Sequence, residues 1–521
     1  MRSLALGTLS ATLISVCAFL GAQPKPDFVK VSLKLVDDRG EPLSGVIRVT
    51  MDGADKPLEL AGLFDRLLGL RGQNAKGWYV VSAAGNVITL PPAKIHITAL
   101  AGLETERVER LFDLRENAPT EIQIRLPFLF RPEERRLVAG NTHLHLRNMT
   151  RKKSDEYLRL IPAADRLKIL FISYLERFQD DRTYITNEYP PGDLKQFDNT
   201  GVLVNNGEEY RHNFTGFGQG YGHVMFLNLK KHIKPASLGP GITKQGFDDT
   251  PLRPGIDAAR KQGATIIWCH NTFGYEDVPN ALASRLNAIN VFDGSRRDQY
   301  EDTYYHYLNI GMRMPISTGT DWFLYDFARV YARVDGPVTI ANWLDAVKAG
   351  KNLVTNGPLL TLTVNDQPIG SVLKLEKATK VHVKASALGR HEFGELQLVQ
   401  NGKVVASAKS AKDGKAFRGH IAETIRVDEP CWFAARIANG KSRNELEQVL
   451  FAHTSPVYVD VGGKRVFLLE SAQTLLKLVE QALADVRARG RFRSPEAREK
   501  VLAIYRDAIV DLQKRMNDRG K

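Results

Sequence analysis

Gly140-Asn-Thr-His143-Leu-His145 closes an apolar run, and its reading decides how the middle of this 521-residue chain is understood. Residues two apart on a strand face the same side, so both imidazoles project together. Alone, His-x-His is a common surface pattern. The segments that follow change its weight. Val202-Leu-Val-Asn-Asn-Gly-Glu208-Glu209 sets a carboxylate pair after an apolar strand, and Tyr221-Gly222-His223 immediately precedes another. Thr265-Ile-Ile-Trp-Cys-His270 ends a strand in histidine, and Met314-Pro-Ile-Ser-Thr-Gly-Thr-Asp321 brings an aspartate to the end of a further one. Helical stretches such as Gly255 to Gln262 and Asn342 to Lys348 lie between such strands. This alternation, from about Leu137 to Gly350, predicts an α/β domain with parallel strands, of a size that suits a small barrel. Barrel sites gather at strand C-termini, where each strand can contribute one group. Imidazoles mixed with carboxylates suit zinc, manganese or iron rather than calcium or magnesium alone.

The ordered set His-x-His, Glu, Gly-His, His and Asp resembles the PHP (polymerase and histidinol phosphatase) metallohydrolases over about Gly140 to Gly357. It looks closest to their exported, carbaryl-hydrolase-like branch, in which such a domain is flanked by β-sandwiches. The resemblance implies a distorted (β/α)7 barrel with metals at its mouth. Carried over by position, it implies that one metal takes His143, His145, Glu209 and Asp321. A second would share Glu209 and take His223 and His270. Glu209 is preferred to Glu208 because the family's ligand stands two residues after the glycine. The groups that hold a third metal in many relatives are missing: no His follows in Leu146 to Lys153, the second strand ends in Tyr174-Leu-Glu176, and Phe323 stands two after Asp321. Two divalent cations are therefore expected, with Asp155 and Glu176 as the residues that would rebuild a third site.

The implied reaction is hydrolysis of a phosphate ester, a carbamate or a carboxylic ester, by a hydroxide held between metals about 3.5–4 Å apart. Glu208 and His212 are the candidate general acids. Arg147 and Arg211 follow ligand motifs closely and are candidates to bind a small anionic or ester substrate, against the reading as solvated surface charge. No Gly-x-Ser-x-Gly elbow is present, which excludes the common serine-hydrolase plan. Two other readings stand beside this one: a non-catalytic metal- or glycan-binding cell-surface protein, and a nuclease of the same family. Beside the general-acid role, His212, like His232, reads as an ordinary polar residue and Glu208 as a solvated group or one that supports the ligands; His306 reads as a packing residue, and Trp268 and Cys269 as strand interior.

The composition is that of a globular chain, with 43% hydrophobic and 25% charged residues, which excludes disordered and collagenous classes. The net charge of +13 is spread along the chain without a Lys/Arg run, so no nucleic-acid partner is expected. Residues 1–22 read as a signal peptide, with cleavage after Ala22. That places the protein in the periplasm or outside the cell, with surface anchoring as the alternative and no membrane span once the signal is removed. Cys269 and Cys431 fall in different predicted domains and are expected as free thiols. Residues 23–130 alternate as short strands and resemble the carboxypeptidase regulatory-like sandwich. The α/β unit spans 137–357, a second β-sandwich 358–462 and terminal helices 463–521. The fold class is thus multidomain α/β plus β: a barrel between two sandwiches, closed by a helical hairpin.

Overall fold

The computed structural model describes residues 28–70, 76–116, 118–176, 184–215, 220–241, 246–271, 273–293 and 303–518. The segment expected to be a signal peptide, residues 1–22, lies outside these residues. The chain is mixed α/β, with several sheets and few helices. Among the described residues no helix is long and apolar enough to cross a membrane.

The first sandwich forms as its alternation predicts. Val31, Leu33 and Leu35 of the Val29–Asp37 strand point inward, and Ile47 and Val49 of Gly45–Met51 meet them in one apolar core. The Val29–Asp37 strand pairs with Asn86–Leu90 and Glu121–Leu126, while Gly45–Met51 lies in a separate five-stranded sheet.

The α/β unit departs from expectation in one respect. Its strands run in the order Ile316–Ser317, Ala288–Asn290, Thr265–Trp268, Gly222–Leu227, Leu203–His212, Ile169–Tyr174, Leu137–Asn141. They are not all parallel: Gly222–Leu227 is antiparallel to both of its neighbours. The reason is covalent. The connection from Asn213 to Tyr221 is too short for a parallel crossover, which needs a dozen or more residues. This reversal brings the start of one strand beside the end of the previous one, and His223 stands opposite Arg211. At the outer ends of this set, Leu144–His145 pairs in parallel with Asp321–Trp322.

The second sandwich shares a sheet with the α/β unit. Leu137–Asn141 continues through Arg329–Arg333 and Asn352–Thr355 into Ala452–Thr454, Cys431–Ile437, Glu395–Gln400 and Lys403–Lys409. Hydrogen bonding therefore runs across the boundary expected at 357, and only the facing five-stranded sheet belongs wholly to the later segment. The terminal helices, Leu469–Arg489 and Pro495–Asp518, pack on each other and on the α/β core. Ser494 caps the second of them, its hydroxyl accepting from Ala497 N, and the stripe Val501, Ile504, Tyr505, Ala508 and Leu512 is buried as expected. Cys269 and Cys431 are free and buried.

Candidate metal centre

Glu209 sits on the Leu203–His212 strand, one residue from a partner it does not resemble in environment. Consecutive strand residues face opposite ways. Glu209 turns toward the histidines; Glu208 turns away, accepts from Ile233 N at 3.0 Å and faces His232 Nδ1 at 2.9 Å. His212 shares the parity of Glu208. Its Nε2 lies 2.9 Å from Asp248 Oδ1, its Nδ1 accepts from Tyr221 N, and its ring stacks on Tyr221. Both candidate general acids are thus removed from the cluster by the pleat.

The six expected ligands do converge. His143 Nε2 and His145 Nε2 are 3.0 Å apart, and Glu209 Oε2 lies 3.9 and 3.1 Å from them. Asp321 Oδ1 is 3.6 Å from His143 Nε2 and 3.8 Å from His145 Nε2. The other oxygen of the Glu209 carboxylate, Oε1, is 2.8 Å from His223 Nδ1 and 3.9 Å from His270 Nε2. Glu209 therefore faces two imidazole pairs with separate oxygens. Two donor groups result, His143–His145–Glu209–Asp321 and Glu209–His223–His270, each with its ligand atoms within 4.8 Å of one another.

The backbone is bent to achieve this. His270 and Asp321 both take left-handed φ values, 50° and 61°, a costly conformation for residues with a Cβ. Thr320 N and Asp321 N both donate to His143 O at 3.0 Å, which fixes the two ligand segments side by side. Gly319 permits the approach, because a Cβ there would come within 2.3 Å of the His143 Cβ.

The outward nitrogens are held by neighbours. His145 Nδ1 is 3.0 Å from Ser173 O, His143 Nδ1 is 2.8 Å from Asp293 Oδ2, and His223 Nε2 is 3.3 Å from Asn213 Oδ1. Each contact orients a ring so that its other nitrogen points into the cluster. Burial opposes charge on His143, but Asp293 outweighs it, aided by Asp321 and Glu209, and lifts the pKa to about 9. His223 is pushed the other way, to about 3, by burial and by Arg211, so it is a neutral imidazole with a lone pair to offer. Burial would raise the Glu209 carboxyl, yet Arg211 and His223 hold it well below the usual range. Asp293 is lowered to about 2, because the His143 charge overcomes burial.

This donor set fits divalent cations. His223 Nδ1 is buried and makes no aligned hydrogen bond although Glu209 Oε1 is 2.8 Å away. Lone pairs of nitrogen and carboxylate oxygen aimed at shared points are unfavourable unless a cation lies between them. Cys269 also comes near His143 and Asp293. Burial, with Glu209 and other carboxylates nearby, raises its thiol well above the usual range, so it stays protonated and is a poor ligand. The residues considered for a third site lie elsewhere. Glu176 binds Lys234 and Tyr174, Asp155 binds Arg151 and Tyr189, and Phe323 packs edge-on against Tyr157.

Of the arginines, Arg211 shares the Glu209 face, with Nη1 3.6 Å from Glu209 Oε2 and with Asn213 Oδ1 accepting from Nε and Nη2. Arg147 lies over the Trp322 ring at 4.5 Å, and that ring is 5.1 Å from His145. Tyr184 completes this wall, and Phe273 stands 4.8 Å from His223 on the opposite flank. The sequence reading missed Asp293 and the aromatic walls. Asp293 had a usable signal, since Ala288-Ile-Asn-Val-Phe-Asp293 also carries an acid past a strand end. His306 meets Ser471 in the helix packing, and His232 meets Glu208; both are the ordinary residues expected.

No protein-family model matches the chain, and no curated protein matches it.

Proposed function

We propose that this protein is an exported, two-metal hydrolase of the PHP type, acting on a phosphate ester, a carbamate or a carboxylic ester. The observation that carries the reading is Glu209: one buried carboxylate presents its two oxygens to two separate histidine pairs. The seven-strand succession whose outer members meet through Leu144–His145 and Asp321–Trp322 supports a closed, barrel-like arrangement.

His143, His145, Glu209 and Asp321 would hold one zinc, manganese or iron ion, and Glu209, His223 and His270 a second. Bound there, two divalent ions supply a nucleophilic hydroxide at neutral pH and polarise the oxygen of the substrate bond. The chain's own groups set the conditions. Asp293, Ser173 O and Asn213 orient the imidazoles before any ligand arrives, which lowers the reorganisation required of the site. Arg211 balances Glu209 and adds positive charge on the reacting side. Arg147, spread over Trp322, offers a guanidinium next to the His145 pair for a negatively charged substrate group. The exposed part of the cluster lies at Asp321 and His270, 14% and 12% exposed, so substrate enters past them.

Elemental analysis of the purified protein, with hydrolysis of 4-nitrophenyl phosphate and 4-nitrophenyl acetate after manganese or zinc addition, tests the reading. About two metals per chain and metal-dependent turnover are expected. Metal binding without turnover on any ester would instead support the binding-protein alternative.

A further inference from the structure

A cavity of about 590 Å3 lies away from the metal centre, at the other end of the same strands. Leu137 and Leu203, which open the strands leading to His143 and Glu209, line it; so do Glu104 from the first sandwich segment and Pro132 and Glu133 of the connecting 3₁₀ turn. Six residues separate Leu203 from Glu209, roughly 20 Å along an extended strand. The volume falls in the range of small-molecule sites, which runs from about 300 to 1,000 Å3. Its apolar wall is Leu137, Val138, Leu203, Val334 and Val338.

The polar groups on this cavity are unevenly matched. Glu104 is buried; its Oε1 accepts from Arg329 Nη1 and from the Tyr331 hydroxyl, while Oε2 has no hydrogen bond. Arg166 is held over Phe128, and its buried Nε is 3.7 Å from that Oε2, also without a hydrogen bond. Arg136 is tied to Asp335, and Glu133 lies near Arg131. Asp198 is exposed at the rim. Lys168 has no hydrogen bond or ion pair from its ammonium to any described residue. Desolvation and the neighbouring Arg166 disfavour its charge, partly offset by Glu133 and Glu104, and an anion in the cavity would favour it further.

We infer that this cavity is a second ligand site, separate from the metal centre, for a small organic anion with an apolar body. The body lies on the Leu137, Leu203 and Val334 wall, and the anionic head meets Lys168 and Arg166. The inference does not depend on the chain being a hydrolase.

Octanoate is the probe, with octanol and acetate as controls that keep only the body or only the charge. Isothermal titration of the full chain should show about one equivalent of octanoate bound, and equal affinity in Glu209→Gln. Lys168→Glu should weaken binding about tenfold or more, the size of one lost charge-assisted contact. Lys168 is exposed and its side chain bonds to nothing described, so this variant should keep its thermal midpoint. Leu203→Trp, which fills the cavity, should abolish binding. The inference is overturned by an absence of saturable binding, or by octanol binding as tightly as octanoate. It is equally overturned by binding that survives Lys168→Glu and Leu203→Trp, whether or not Glu209→Gln removes it.

Discussion

Two regions of this molecule bury charged groups, and they do it in different ways. Where the first sandwich meets the α/β unit, Arg66 is fully buried, paired through Nε and Nη2 with Asp165, and donates through Nη1 to Leu324 O. Close by, Arg329 and Tyr331 donate to Glu104, while Asp326 accepts from Asn356 and Asn444. Most of the donors here face acceptors, although Glu104 Oε2, Arg166 Nε and Arg329 Nη2 are left without a hydrogen bond. At the Glu209 cluster, groups able to ligate a metal converge on one another: two imidazole nitrogens lie 3.0 Å apart and carboxylate oxygens crowd against them. The first arrangement pairs most of its charges within the protein; the second gathers donor groups that could hold cations. The sign of the groups that converge, rather than burial or charge count, separates a structural network from a ligand-binding one.

The two regions also touch. Asp321, Trp322 and Phe323 lie on a segment whose next residue, Leu324, is gripped by Arg66 and by the Tyr157 hydroxyl. The first sandwich therefore helps hold a ligand-bearing turn.

The largest effect should come from Glu209→Gln. Losing the shared carboxylate should cost both metals and reduce hydrolysis by on the order of 10²–10³-fold or more, while the thermal midpoint of the metal-free protein changes little. If metal content and rate survive, the comparison collapses. Arg66→Ala should do the reverse. Leaving Asp165 buried and unpaired should cost about 3–5 kcal/mol of stability, read by chemical denaturation, with metal still bound by the fraction that folds. Asp293→Asn, which removes the charge behind His143, should lower metal affinity by about 10–100-fold, measured by competition with a chelating dye.

A smaller effect tests buried acids outside both regions. Glu276 is raised from 4.5 to about 7 by burial, and Asp277 from 3.8 to about 6. The folded state holds these protons more tightly than the unfolded state. Their contribution to stability should therefore be fully present below the unfolded values and be lost as pH rises through about 6 to 7. Glu276→Gln should gain stability relative to the parent between pH 5 and pH 8; an unchanged difference between the two would refute the assignment. The smallest effect on metal is expected from Glu208→Gln, since Glu208 points to Ile233 and His232. Its metal content should match the parent, and a loss comparable to that of Glu209→Gln would mean the register of this strand is wrong by one.

Much of the site was legible in the chain because its signals are local. A histidine or acid at the end of an apolar run is visible in a handful of residues, and period-two alternation separates His143 from its neighbours and makes pairs of His143 with His145. The α/β region, both sandwich patterns and the last helix were legible for the same reason. Glu208 and His212 lie on the face of their strand opposite Glu209, so the structure agrees with their alternative readings, a residue outside the metal ligands and an ordinary polar residue, rather than with the general-acid role.

What the sequence by itself determined was the set of candidate ligands and the elements that carry them, since residue type and periodicity are properties of short segments. The tertiary structure decided the rest. It turned Gly222–Leu227 antiparallel so that His223 meets Glu209, joined the second sandwich to the α/β sheet, and set Asp293 behind His143. It also folded Trp322 and Arg147 into one wall, and enclosed the cavity at the far end of the strands. Each of these depends on residues from about ten to more than a hundred positions apart. Their meeting is set by strand pairing and by the packing of buried side chains, and no window of sequence contains it.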